Sequence, residues 1–554
     1  MWIPLLETGR LGANPDTPPH VTPAGMWQEV SNVRFRAGDA LRVGGSRRIY
    51  QALGSSPPAN IQPFWFINIE NREQSFWLSA VGRDSNDLLS RLNVVDELGH
   101  LPASRVDSDG NLVRYSTTMD RFWNGGDLGG VLILTNGADV PQSWRPSRGA
   151  RAEDLIHWPE NLRCRLLKVF NYYAVALNLS ESDDRFPNRV RWSHPAAPGN
   201  LPSSWALDDP NVLSGQNDLP DYGTGEIIEA RQLRDWLLIY KNNSVWGMRL
   251  VGGSQVFGFT SIFNDIGALA THCVTGFSHR GGQYHAVFTG DNVLIHDGQS
   301  VSASLDGRAT REISNTLSTE FWARSYIAHN AKAQEIWTCY PTGSNRFPNK
   351  ILVWNYREDT LSFLDTEHIS WITPGIIRTE ESGIETWDTA PGEWADSSGP
   401  WNISQSQQHN LRLVAVSQER GGYWTIDDGD EMNLYRILEG GLRTKMLRTE
   451  LAIVPNRQTR EPILDLYSKK LLRGARVEFS MADPGQTLKV RLGSSKTIGG
   501  PVSYGRVTAL RPDRDTKVNE IHSGVSFSIE LSTTNKADWT LHGMELDIER
   551  VGDY

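Results

Sequence analysis

The sequence is short of the residues that several functional classes require. Three cysteines, Cys164, Cys273 and Cys339, stand far apart among 554 residues. Their number is odd and no C-x-x-C pair occurs. That excludes a disulfide framework and a cysteine-built zinc site, and it favours a reducing place of synthesis. No window approaches the roughly 18 apolar residues of a membrane-spanning helix. The opening run from Trp2 to Leu6 has no basic start and contains Pro4, unlike a secretory leader. A soluble chain made in the cytosol is expected.

Net positive charge is also missing. Lys and Arg number 55 against 65 Asp and Glu, a net charge of −10. Proteins that grip nucleic acid use cations to displace counterions from phosphates, so a tight grip is excluded; a polymer sliding past is not. Catalytic constellations are absent too: there is no G-x-S-x-G elbow, H-E-x-x-H helix or P-loop. The thirteen histidines show no metal-ligand spacing. Gly44-Gly45, Gly129-Gly130 and Gly252-Gly253 read as turns or bulges. The Ser-x-Asp-x-Gly-x-x-Trp turn of sialidases is missing, although Asp297-Gly298 and Asp306-Gly307 look superficially alike. With so many acids a glycosidase pair can always be proposed. The expectation is nevertheless no enzyme, no cofactor and no metal.

Glycine, proline and tryptophan are plentiful, at 50, 28 and 20 copies. Short apolar runs alternate with polar turns, the signature of an all-β chain of hairpins. Ile61 to Ile67 is followed by Phe76 to Val81; Val131 to Leu134 runs into Thr135-Asn136-Gly137, a strong turn signal. Leu166 to Phe170 and Tyr172 to Leu177 flank Asn171, and Asp235 to Tyr240 returns as Val245 to Leu250. Tyr284 to Phe288 returns as Val293 to His296. Glu335 to Tyr340 pairs with Ile351 to Tyr356 and then Leu361 to Leu364; Leu411 to Val416 pairs with Tyr423 to Ile426. Hairpins in series without a strict period imply a β-propeller-like body over 61–440, with separate sandwiches as the alternative. Residues 1–60 read as an N-terminal arm with the first strands, a docking segment. A short helix is expected over 313–325.

From Arg476 the strands lengthen and alternate. Val525, Phe527, Ile529 and Leu531 share one face, and the phase slips at Gly543, where a β-bulge would absorb one residue. A C-terminal antiparallel β-sandwich over 441–554 is expected. Two inserts, 201–226 and 379–408, are rich in Pro, Gly and acids. The second spaces Trp387, Trp394 and Trp401 by seven, but Pro391, Gly392, Gly399 and Pro400 exclude a coiled coil. The indoles either tuck into nearby pockets of this chain or anchor a neighbour.

The stretch from Leu219 to Pro341, with Asp235-Trp-Leu-Leu-Ile-Tyr240, Phe263-Asn-Asp-Ile-Gly267 and His285-Ala-Val-Phe-Thr-Gly290, resembles the nozzle family of short-tailed bacteriophages, the tail tubular protein B and packaged-DNA stabilisation proteins. Glu29 to Arg36, Val43-Gly44-Gly45, Leu134 to Gly137, Pro141 to Trp144 and Trp387-Asp388 share that likeness. The resemblance implies a structural subunit in a closed ring, most simply a hexamer, below a head–tail adaptor ring. It also implies tail fibres or spikes, a needle or plug, and viral double-stranded DNA passing without sequence-specific binding. Trp27, Arg34, Phe35 and Arg36 are then candidates for an adaptor or subunit contact, because charged and apolar residues alternate there. Asp208, Asp209, Asp218, Asp221, Glu380, Glu381 and Glu385 are candidates for an acidic lumen, which would keep phosphates off the wall over a Debye length of about 8–10 Å. Each acid could equally be a solvated loop charge. Two other classes compete: a receptor-binding or fibre-attachment tail protein recognising a surface glycan, and a β-propeller enzyme acting on polysaccharide.

Overall fold

A computed structural model describes residues 2–552, apart from 52–60, 68–74, 83–88, 117–122, 221–224, 378–410, 418–420, 535–537 and a few single residues and pairs. The chain is almost all β, built of many small antiparallel sheets. The expected helix begins earlier and is shorter: it spans Thr310–Thr316, and Trp322–Arg324 is only a 3-10 turn.

Seven sheets follow one another along the chain. The first holds Ile61–Ile67, Ser75–Gly82, Leu89–Asp96, Gly99–Pro102 and Tyr115–Ser116. The second holds Asn124–Asp127, Leu132–Thr135, Gln142–Trp144 and Glu153–Asp154. The third holds Leu162–Phe170, Tyr173–Glu181, Asp184–Trp192 and Gly215–Asp218. The fourth holds Ile227–Leu233, Trp236–Lys241, Val245–Leu250 and Phe257–Phe263. The fifth holds Val274–His279, Gly282–Phe288, Val293–His296 and Val301–Ala303. The sixth holds Tyr326–Asn330, Glu335–Tyr340, Lys350–Asn355 and Thr360–Asp365. The seventh takes Ile369–Ile376, Leu411–Ser417 and Tyr423–Ile426 in order. Its fourth strand, Ser46–Tyr50, comes from the opposite end of the sequence.

The hairpins named from the sequence all form antiparallel pairs. Their turns explain why. Asn171 and Tyr172 both take positive φ, 48° and 66°, and Arg280 and Gly281 take 48° and 82°. Two-residue turns of that kind match the twist of the strands they join. The first strands of successive sheets pack on one another from the second sheet to the seventh. At Gly126 a Cβ would lie 2.8 Å from the Val169 side chain, so glycine permits that approach. Neighbouring sheets share apolar cores. Leu78, Ala80, Leu132 and Leu134 join the first and second sheets. Leu166, Val175, Ile227 and Ile239 join the third and fourth, and Trp337, Val353, Ile372 and Ala415 join the sixth and seventh. Val414, Val416 and Tyr423 of the seventh sheet share a core with Trp77 and Val95 of the first.

Two larger sheets and a two-stranded ribbon, Ile453–Pro455 with Pro462–Leu464, make the rest among the described residues. One contains Val33–Arg36, Asp39–Arg42, Trp539–Gly552, Lys469–Met481 and Lys517–Val518, with Trp2–Leu6 and His522–Gly524 alongside. The other contains Glu29–Ser31, Gly441–Leu451, Ser526–Thr534, Leu488–Ser495 and Ser503–Leu510, with Ile437–Leu438 at its side. Their apolar residues, among them Ile3, Val477 and Leu546 from one and Met446, Val490 and Ile529 from the other, bury in one core. The strands Trp2–Leu6, Glu29–Ser31, Val33–Arg36 and Asp39–Arg42 thus belong to this body. The phase slip lies where expected: Glu478 pairs with Gly543 and Phe479 with Leu541, leaving His542 as the bulged residue.

Candidate functional site

Charged side chains on the first strands of the third and fourth sheets meet beside the start of the fifth. Lys168 of the third sheet lies 2.5 Å from the carboxylate of Glu229 in the fourth. The backbone N–H of His272, just before the fifth sheet, donates to the other Glu229 oxygen at 2.8 Å. The His272 carbonyl accepts from the Ile327 N–H of the sixth sheet, and its ring meets Trp371 of the seventh edge-on, with centroids 4.7 Å apart. Five sheets therefore meet at His272. Burial alone would raise the Glu229 carboxyl, but Lys168 and His272 outweigh it and bring it down to about 2. Desolvation lowers the His272 imidazole to about 4 despite the carboxylate beside it. At neutral pH the node is an ion pair next to a neutral imidazole. The Ala230 N–H also donates to Glu229 at 2.8 Å, so the carboxylate is occupied by donors and poorly suited to act as a base. His272 holds φ at +68°, uncommon for a residue with a side chain.

A second buried cluster has its proton positions dictated by its partners. His285 Nε2 faces the Gln232 carbonyl at 3.0 Å and must donate, so Nδ1 accepts from the Tyr240 hydroxyl at 2.7 Å. The Tyr240 oxygen then accepts from His296 Nε2 at 2.8 Å, while His296 Nδ1 accepts from the Gly298 N–H. Desolvation lowers His285 to about 3 and His296 to about 4. Every proton has one place, and the chain ends on backbone at both sides. It ties the fourth sheet to the fifth.

The residues singled out at the N-terminus are interior. Val33, Arg34 and Phe35 are all buried, so the alternation does not divide a buried face from an exposed one. Arg34 ion-pairs with Glu335 of the sixth sheet and with Asp427, at 3.2 Å, just beyond the seventh. Its guanidinium lies over the Trp337 ring, 5.2 Å from the centroid. Arg36, partly exposed, reaches Asp427 at 2.8 Å. Burial works against the charged Asp427, but Arg34 and Arg36 hold it below the usual range. Trp27 donates its indole N–H to the Thr8 carbonyl at 2.7 Å. These side chains join the two-sheet body to the sheet series within one chain. Trp27, Arg34 and Phe35 are thus buried within this chain, and the opposite charges that Arg34 meets come from distant parts of it.

Of the acidic candidates, Asp208 and Asp209 are exposed. Asp218 is clasped by Arg189 at 2.7 and 2.9 Å, which holds its carboxyl down. Asp221, Glu380, Glu381, Glu385, Trp387, Trp394 and Trp401 lie outside the described residues. Among the described residues, no group of three or more His, Cys, Asp or Glu could hold a metal ion. Lys168, Glu229 and His272 escaped the sequence reading. The available signal was a charge inside an apolar run: Lys168 interrupts Leu166 to Phe170, and Glu229 follows Ile227-Ile228.

No family model matches the chain, and no curated protein matches it. Among solved structures it is similar to the WD40 β-propeller domain of Doa1, with 10% identity, 69% of this chain and 96% of that chain covered, and a TM-score of 0.35. A putative 6-phosphogluconolactonase from Bacteroides uniformis gives 10% identity, coverage of 69% and 92%, and 0.35. A protein from Lactobacillus plantarum gives 9%, coverage of 69% and 92%, and 0.34. Likenesses this distant carry no argument about function.

Proposed function

We propose that the chain is a non-enzymatic structural subunit of a short bacteriophage tail, a ring-forming nozzle through which DNA leaves. In this reading the seven small sheets are the blades of a β-propeller and the two larger sheets a β-sandwich docked on it. The observation that carries the proposal is the way the chain is tied. Ser46–Tyr50 completes the seventh sheet, while residues on either side of that role, 2–42 and 441–552, weave together into the larger sheets. The N-terminal segment cannot leave without opening both regions, which suits a part under mechanical load. The node at His272 would stop the axis of such a propeller, so a DNA path would run between copies, past walls supplied by several subunits. The net charge of −10 favours passage over capture. The motif resemblance supplies the tail itself, the adaptor ring above and the fibres and plug around it.

Native mass measurement and electron microscopy of assembled tails test the reading. A ring of six copies around an open lumen is the expected result. A trimer with a glycan-bearing groove would favour the receptor-binding class instead.

A further inference from the structure

The seam between the two-sheet body and the sixth sheet contains a cleft of about 270 Å³, lined by Glu29, Ser31, Asp365, Arg436, Arg443 and Lys445 among others. Its charges are unevenly answered. The Lys445 ammonium reaches both oxygens of Glu29 at 2.7 Å, and the Ser31 hydroxyl donates to Asp365. Arg436 and Arg443 ion-pair with no carboxylate among the described residues, and both are exposed. The register accounts for their closeness. Ile437 faces Leu442 and Leu438 faces Gly441, so one step further along the pair Arg436 stands opposite Arg443. Like charges directly opposite on antiparallel backbone repel. The same placement becomes favourable when an anion lies between, since each guanidinium offers a planar fork of donors that suits phosphate oxygens.

We propose that Arg436 and Arg443 clamp a phosphate-type oxyanion in this cleft. The Lys445–Glu29 pair and Asp365 form the other walls. Their carboxylates leave room for one anionic group and disfavour a second. The surroundings agree in sign: residues 441–554 carry 18 Lys and Arg against 14 Asp and Glu, whereas residues 1–440 carry 37 against 51. The proposal stands apart from the tail role, because it rests on the register and the cleft alone.

The full chain is titrated with sodium phosphate, and with sodium chloride at matched ionic strength. Protection of each arginine from a dicarbonyl reagent is mapped by mass spectrometry. Saturable protection of Arg436 and Arg443 by phosphate, absent in chloride, is expected. Arg436→Ala or Arg443→Ala should weaken phosphate about tenfold or more, while Arg473→Ala should leave it unchanged. A short DNA duplex forms a second arm. Duplex binding tighter per phosphate, and lost in the double variant, identifies a nucleic-acid backbone as the source; equal binding per phosphate identifies the free ion. Protection that is the same in both salts, or phosphate affinity unchanged in the double variant, overturns the proposal. The wild-type footprint decides the matter even if a variant misfolds.

Discussion

The seven-sheet region and the two-sheet body are both antiparallel β, yet they are assembled on opposite principles. In the series, strands of two to nine residues pair with sequence neighbours across short turns. In the body, strands reach fourteen residues and the pairings span the chain: Trp2 lies beside Asp547, and Glu29 beside Leu447. Local pairing closes small loops, while pairing the two ends must order everything between them. The contrast also appears in charge. The series is acidic with buried neutral histidines, and the body is basic; each buries one lysine, Lys241 and Lys470. Arg34 stands at the joint and belongs to both.

Acid should separate the two regions with the largest effect. His285 is held at about 3, and His296, His272 and His329 at about 4, in each case chiefly by burial. The unfolded chain would take up these protons near pH 6.5. Stability is therefore lost as pH falls from about 6.5 towards 3–4, by on the order of several kcal/mol over the four groups. Glu229, lowered to about 2, adds a second loss between about 4.5 and 2. Hydrogen exchange at pH 7 and pH 5 should show peptides from 227–365 losing protection before those from 469–552. Uniform loss would break the contrast.

Next in size is the joint. Arg34→Ala would leave Glu335 and Asp427 buried without their central cation, at a cost of about 3–5 kcal/mol. Denaturant unfolding followed by tryptophan fluorescence checks this, because Trp337 lies under the guanidinium. Both regions should lose stability together. Lys470→Met should act on the body alone. Its ammonium donates to the carbonyls of Asp465, Ser468 and Val525 at 2.5, 3.0 and 2.8 Å. Leaving those acceptors unmet should cost about 2–4 kcal/mol, visible as exchange confined to 465–525. Arg473→Ala breaks a half-exposed pair with Glu549 and should lower the unfolding free energy by less than about 0.5 kcal/mol. A larger shift would mean that surface pairs matter more in the body than their exposure implies.

The hairpins were legible because each is specified within a few residues: an apolar run, a turn that tolerates positive φ, and a second run. The bulge beside Gly543 was legible for a similar reason, since a slip in a period of two appears in the sequence as soon as it occurs. The sites were less so. The alternation Val33-Arg34-Phe35-Arg36 correctly implied a strand. It could not reveal that the face carrying Arg34 is covered by Glu335 and Asp427, whose positions lie some three to four hundred residues further on. An acid within a buried run, such as Glu229, has no visible partner until Lys168 and His272 are brought to it.

The sequence by itself determined the β class, the hairpin turns and the long alternating strands near the C-terminus, because short-range sterics and apolar periodicity act within one or two strands. Only the tertiary structure decided that Ser46–Tyr50 completes the seventh sheet, that the N-terminal strands join the C-terminal ones, and which charges are buried in pairs. Those choices depend on which distant surfaces can bury apolar area and answer each other's charges at once, and nothing in the local pattern of a strand records its partner hundreds of residues away.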